Sequence, residues 1–260
     1  MRVQDLGQTH GAAICDSCPS SERCLTPSFF EHLNDQRSLD LRISTYPTGT
    51  WVVRQQVPLA GIHIVCEGSV AISAERADQR ETVLSVAGPD TVINLEDWVL
   101  ARPIYSFSAR TLTRSSIIFV GKDDLRRLYA EDHEISQLMT AHLARRMEAT
   151  LQRHIARLTT DVKSRLVIAF RDLLEATGQH VAQDAEFAFP INRQLLADIV
   201  GAAPESISRA MTEIETDALI IRNPSRISIP DVPRLLQYAA KATNQAAPDP
   251  SSWLQPRTKP

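Results

Sequence analysis

NRQLLADIVGAAPESISRAMTEIETDALI, residues 192–220, decides how this 260-residue chain is read. It predicts a helix over 192–200, a tight turn at Gly201 and a second helix over 204–217. Pro204 suits the first turn of that second helix, where its missing N–H costs nothing. A small hairpin follows, with strands at 219–222 and 226–229 turning at Asn223-Pro224. Two short helices joined by a glycine-containing turn can place the second in a DNA major groove. On that second helix Glu205, Ser208, Arg209 and Thr212 share one face, while Ile207, Met211 and Ile214 take the opposite face and are expected to bury against the first helix. The exposed set has a use: Arg can bond O6 and N7 of guanine, Glu can accept from cytosine N4, and Ser or Thr can serve several bases. Arg193 and Gln194, with Asn192, are candidates for phosphate contacts that set the register. The competing reading is an amphipathic helix whose polar face simply meets water.

Upstream of the reading unit the periodicity is helical. Val162, Leu166, Ala169, Phe170, Leu173 and Leu174 line one side of a helix from about 162 to 176. Before it, Ile135, Leu138, Met139, His142, Leu143, Met147, Leu151, His154, Ile155 and Leu158 recur at helical spacing. A helix of about 25 residues would be roughly 38 Å long. Its narrow stripe, interspersed with Arg145, Arg146, Glu148 and Arg153, calls for a partner, and a self-associating seam is the favoured one over packing on the rest of the chain. The interface residues expected of a homodimer are Met139, Leu143, Met147, Thr150, Leu151, His154 and Leu158. From about 44 to 120 the chain changes character again. Short β-rich runs at 50–53, 61–73, 81–86, 91–95, 106–111 and 115–120, punctuated by Gly and Pro, predict an antiparallel barrel or roll.

With 43% hydrophobic and 23% charged residues, the composition is that of an ordinary globular protein, and no apolar run is long enough for a membrane span. The N-terminal stretch MRVQDLGQTHGAA lacks the pattern of a secretory signal, so the chain is expected in the cytoplasm. Thiols stay reduced there, and clustered cysteines bind metal or do redox work more often than they pair. Three of the four cysteines fall within "CDSCPSSERC", as Cys15, Cys18 and Cys24; the fourth is Cys66. Four thiolates could hold a [4Fe–4S] cluster or a closed tetrahedral zinc. Strand parity puts Cys66 on the face with Ile62 and Ile64, opposite His63 and Val65; both faces are apolar, so a small buried residue is its alternative role. His63 or a carboxylate is the substitute donor should Cys66 not serve. A net charge of −3 neither suggests nor excludes nucleic acid. No flavin, nicotinamide or catalytic motif is present, so an enzyme is not expected; a cluster-bearing electron-transfer protein is the rival from another class.

Over roughly residues 15–240 the chain resembles the Crp/Fnr family of transcription regulators, on "IHIVCEGSVAI", the long helix and the 192–220 segment. The resemblance implies an α+β fold: an N-terminal cyclic-nucleotide-binding-like β-roll (jelly roll), a long dimerisation helix and a C-terminal winged helix-turn-helix. The expected boundaries are 1–28 for the cysteine segment, 29–122 for the sensory roll, 123–160 for the dimerisation helix, 161–241 for the DNA-binding domain and 242–260 for a disordered tail. Glu205, Ser208 and Arg209 match the E-x-x-S-R pattern of the fumarate and nitrate reduction branch, which implies an inverted repeat of TTGAT half-sites in double-stranded DNA, with RNA polymerase as a further partner. That branch also uses the Cys-x2-Cys-x5-Cys spacing for three ligands of an oxygen-labile [4Fe–4S] cluster. Its fourth cysteine falls at Ile118 here, so Cys66 on an earlier strand is the candidate fourth ligand, with zinc the alternative metal. Cyclic-nucleotide binders in the family carry Gly-Glu-Leu and, about ten residues on, an Arg-Ser or Arg-Thr pair for the phosphate. This chain has "INLEDWVLARPIYSFSARTL", with Tyr105-Ser106 at the pair's place, so cyclic AMP is not expected.

Overall fold

A computed structural model of the chain describes residues 41–75, 80–180, 182–187, 191–223 and 226–243. They form two compact units that divide between Met147 and Glu148. Cys15, Cys18, Cys24 and the tail beyond 243 lie outside the described residues.

In the first unit, β1 (Leu41–Tyr46), β8 (Ser115–Gly121), β3 (Gly61–Glu67) and β6 (Val92–Ile93) make one antiparallel sheet in the order β1-β8-β3-β6. A second sheet has the order β2-β7-β4-β5, from β2 (Trp51–Val53), β7 (Ser108–Thr111), β4 (Val70–Glu75) and β5 (Glu81–Ala87). Alternation along each strand sorts the apolar residues between two cores. Val65, Ile93 and Ile117 meet Val53, Val70, Ile72, Ala87 and Ala109 of the other sheet. Ile62, Ile64, Ile118 and Val120 turn the other way, where three helices cover them: α1 (Leu95–Val99), α2 (Lys122–Glu131) and the start of α3 (His133–Thr159).

Three expectations are corrected. The run 91–95 is strand only at Val92 and Ile93; Asn94 takes a left-handed conformation (φ 66°), which Asn tolerates, and starts α1. The segment 123–160 is two helices, because Asp132 is extended and its Oδ1 accepts the Ile135 N–H at 2.9 Å, ending α2 and capping α3. Met139 is fully buried against Ile64, Leu125 and their neighbours in its own chain, which leaves it no surface for a second copy; Leu143 packs partly on the same core.

The second unit holds the remainder of α3, then α4 (Val162–Ala176), β9 (Ala185–Glu186), α5 (Arg193–Val200), α6 (Pro204–Thr216), β10 (Ile221–Asn223), β11 (Arg226–Ile229) and α7 (Val232–Thr243). Asp161 caps α4 through the Ser164 N–H at 2.7 Å. α4 packs against α5, α6 and α7. Its Leu166, Phe170, Leu173 and Leu174 join Leu196, Ile207, Ile214 and Leu235 in the buried set, and Phe170 stacks on Phe187. Lys163 ties α4 to Asp217 at the end of α6, 2.7 Å away. No helix among the described residues is long and apolar enough to cross a membrane.

Candidate nucleic-acid interface

The reading unit is built from local chemistry. The Asn192 side chain accepts the Leu195 N–H at 2.8 Å and so caps α5. Gly201 closes that helix with φ 69°, and its N–H returns to the Ala197 carbonyl at 2.9 Å; a side chain is strained in that conformation. Ala203 is extended, Pro204 opens α6, and Ile207, Met211 and Ile214 are buried beneath it. Glu205, Arg209 and Thr212 are left exposed, with Ser208 half-buried.

The polar side chains of this face are not equivalent. Arg193 of α5 donates to the Ser208 hydroxyl at 3.3 Å, which places a guanidinium beside the reading face. Gln194 donates to Asp198 one turn along at 2.8 Å. Glu205 and Arg209 make no hydrogen bond or ion pair among the described residues, so their donors and acceptors are available. One feature escaped the sequence. Arg222, on the exposed strand β10, donates from Nε to Glu215 Oε2 at 2.7 Å and from its backbone N–H to Oε1 at 3.2 Å, and a second guanidinium N–H also meets that carboxylate. Its Nη2 lies 3.5 Å from the Thr212 hydroxyl. The hydrogen bonds from Arg222 hold the Glu215 carboxyl below the usual range. The wing strand is thereby fastened to the reading helix with a cation at their common edge.

Along α3, Thr150 and His154 are exposed, as are the large apolar residues Met147 (66%), Leu151 (49%), Ile155 (49%) and Leu158 (74%). These four form a stripe at spacings of four, four and three on a helix whose opposite face is occupied within its own chain.

In the roll, Cys66 lies at a bulge of β3, half-buried, on the sheet face that carries Ile118. Ile64 pairs directly with Ile118, which is 1% exposed, and Cys66 follows two residues along. His63 faces the other way, into the space between the sheets beside Tyr105; burial lowers its pKa to about 4. It therefore does not share a face with Cys66. Among the described residues no group of three or more His, Cys, Asp or Glu converges on a metal position.

The segment 94–106 is closed from within. Asp97, with no exposed surface, accepts the Ser106 N–H at 2.7 Å, Arg102 at 3.2 Å and the Asn94 amide at 3.4 Å. The Tyr105 hydroxyl accepts from the Ala60 and Gly61 N–H groups and donates to the Gly61 carbonyl at 3.0 Å, which seats its ring in the roll core. A buried carboxylate and a phenol thus tie this segment to itself and to the roll.

Comparison with known proteins matches residues 43–132 to the cyclic nucleotide-binding domain and residues 164–238 to the Crp-like helix-turn-helix domain. The chain is 26% identical over 194 residues to the CRP-like cAMP-activated global transcriptional regulator of Mycobacterium tuberculosis, covering 75% of this chain and 86% of that one. It is 25% identical over 180 residues to the CRP-like protein Clp of Xanthomonas euvesicatoria, covering 67% and 78%. Among solved structures, FixK2 of Bradyrhizobium japonicum superposes with a TM-score of 0.63 at 20% identity, covering 80% of this chain and 99% of its own. The c-di-GMP responsive regulator CLP of Xanthomonas campestris gives 0.60 at 24% identity, covering 73% and 93%. The two structural likenesses establish the fold.

Proposed function

The chain belongs to the Crp/Fnr family of DNA-binding transcription regulators, and from that premise we propose that it acts as a homodimer on an inverted repeat of TTGAT-like half-sites under the control of an iron–sulfur cluster. The observation that carries the DNA reading is the pair Glu205 and Arg209, exposed and unengaged on a helix whose other face is buried. Arg209 reads guanine, Glu205 accepts from cytosine on the opposite strand, and Ser208 and Thr212 serve the flanking bases. Arg193 and Gln194 set the register on phosphates. Two copies joined along Met147, Leu151, Ile155 and Leu158 present two such helices to a palindrome. RNA polymerase is the partner of the dimer bound beside a promoter.

Cys15, Cys18, Cys24 and Cys66 would hold the cluster, and the fit rests on their chemistry: four thiolates, with Cys66 half-buried at a bulge on the same sheet face as Ile118. Bound there, a [4Fe–4S] cluster supplies a redox-labile centre open to oxygen or nitric oxide. The long helix α3 is the element whose pairing the sensor biases. Anaerobic purification with iron and sulfide analysis of the wild type, Cys18→Ala and Cys66→Ala tests this. Cluster-loaded wild type and cluster loss in both variants are expected. Colourless protein holding zinc would replace the cluster by a structural metal, and an unchanged, air-stable cluster in Cys66→Ala would remove Cys66 from the set.

A cyclic nucleotide is the rival effector, favoured by the match of residues 43–132 and by the relative described as cAMP-activated. Against it stand the buried Asp97 carboxylate and Tyr105, since an anionic phosphate needs a cation there. Operator affinity unchanged by added cAMP or c-di-GMP is the expected result, and tighter binding would favour the rival.

The wing gives a separate expectation. Arg222→Ala should weaken palindromic and scrambled duplexes alike and lower the slope of log affinity against log salt by about 0.9 per protomer, the value of one phosphate contact. A preserved slope would leave Arg222 a purely structural tie.

A further inference from the structure

The last turns of α3 carry two faces of opposite use. Leu151, Ile155 and Leu158 are exposed on one. The other grips the DNA-reading unit. Arg153 meets Asp172 of α4 at 3.6 Å, and Ala156 is 4% exposed. Arg157 reaches α5, where its Nη2 donates to the Ile199 carbonyl at 3.2 Å. That carbonyl belongs to the final turn of α5, whose carbonyls lack helical partners and carry the negative end of the helix dipole, so a guanidinium suits it. The same guanidinium lies against the turn itself. A Cβ placed on Gly201 would stand 3.0 Å from Arg157 Nε and 3.2 Å from its Cζ. A cavity of about 20 Å³, lined by Arg153, Arg157, Arg165, Asp172, Ile199 and Val200 among others, lies beside this contact. The joint therefore combines the buried Ala156, beside Ile168 and Ala169 of α4, with a polar arm, Arg157, that alone reaches the carbonyl end and the turn of α5.

We propose that Arg157 is the positioning residue that links the dimer helix to the helix-turn-helix turn, so that pairing along α3 sets the angle at which α6 is presented. The proposal rests on the dimeric DNA-binding reading above. Arg157 sits across the helix from the apolar stripe, so it is not needed for pairing. It touches the turn and not the reading face, so it is not needed for base contacts. What it supplies is the coupling between the two, and coupling between sites is reciprocal: a palindrome that prefers the paired, correctly angled state must in turn tighten the dimer.

The test uses the full chain and a synthetic duplex carrying an inverted TTGAT repeat, with a single half-site as control. Sedimentation gives the dimerisation constant with and without duplex, titration gives the affinity, and thermal unfolding reports the fold. Arg157→Ala is expected to dimerise like the wild type without DNA and to bind the palindrome about tenfold more weakly, within the usual span of intersite coupling. The tightening of the dimer by the palindrome should shrink by the same factor. Arg157→Lys, which keeps the charge and a donor for the Ile199 carbonyl, should recover part of the loss; it also serves as the second variant if Arg157→Ala loses its fold. Wild-type palindrome binding with unchanged affinity and unchanged tightening in the variants would overturn the proposal alone. A wild type that neither dimerises nor prefers the palindrome would overturn the reading beneath it as well.

Discussion

Arg209→Ala should lose preference for the palindrome over a scrambled duplex while keeping its fold and its dimer. The side chain is exposed and makes no hydrogen bond or ion pair among the described residues, so removing it leaves nothing buried or unpaired. Surface changes of that kind shift stability by only about 0.5 kcal/mol. The loss in binding is of another order. A bidentate arginine–guanine contact is worth about 1–3 kcal/mol, and a dimer forfeits two, so the palindrome should weaken by about 2–6 kcal/mol, some thirtyfold at the lower end. Non-specific affinity, which rests on phosphate contacts, falls much less. Filter binding or anisotropy on both duplexes at one salt concentration checks this. If the variant still separated the two duplexes as well as the wild type, α6 would not be the reading helix.

The helix-turn-helix is the part of the chain most legible one residue at a time. Gly201 and Pro204 each carry a local signal with one physical meaning, and the structure uses both, as a left-handed turn and a helix start; Asn192, expected as the first helical residue and a phosphate contact, instead caps the helix with its side chain. Most strands of the roll were readable for the same reason, with Gly and Pro marking their ends, but β1 at Leu41–Tyr46 lay outside the runs and 61–73 is two strands, β3 and β4. Two local signals were passed over: Asp132 stops α2 and caps Ile135 three residues on, and the left-handed Asn94 ends the strand pattern of 91–95 and starts α1. Where the outcome depended on contacts distant in sequence, the reading ran out. Met139 fits the periodicity of the stripe, yet its partners are Ile64 and Leu125, which spacing alone does not reveal. Parity placed Cys66 with Ile62 and Ile64, but Val65 and Ile117 are as apolar as Ile64 and Ile118, so only the packed sheets assign the faces. Arg157 and Arg222 acquire their roles from a turn and a helix that lie 42 residues and 7 residues away along the chain, and no motif marks either.

With Met139 buried in its own chain, the exposed apolar stripe of α3 starts at Met147. Leu151→Glu should convert the protein to a monomer. Leu151 stands between Met147 and Ile155 in the exposed stripe, at the centre of what two copies would bury. Burying a leucine contributes about 1.5–3 kcal/mol, so two copies forfeit roughly 3–6 kcal/mol, before any repulsion between facing carboxylates. The dimerisation constant should therefore weaken by at least about a hundredfold. Operator binding should fall with it, because a monomer holds one half-site instead of two. Leu151→Ile, which keeps the apolar volume, should remain dimeric. The comparison that separates loss of pairing from loss of folding is Met139→Glu. A carboxylate at that fully buried position costs the roll its core and should lower the melting temperature sharply, whereas Leu151→Glu, exposed within its own chain, should melt as the isolated wild-type monomer does. Sedimentation and thermal unfolding on the three variants decide the matter. A Leu151→Glu protein that still sediments as a dimer would mean that the copies meet elsewhere, and the stripe on α3 would need a different partner.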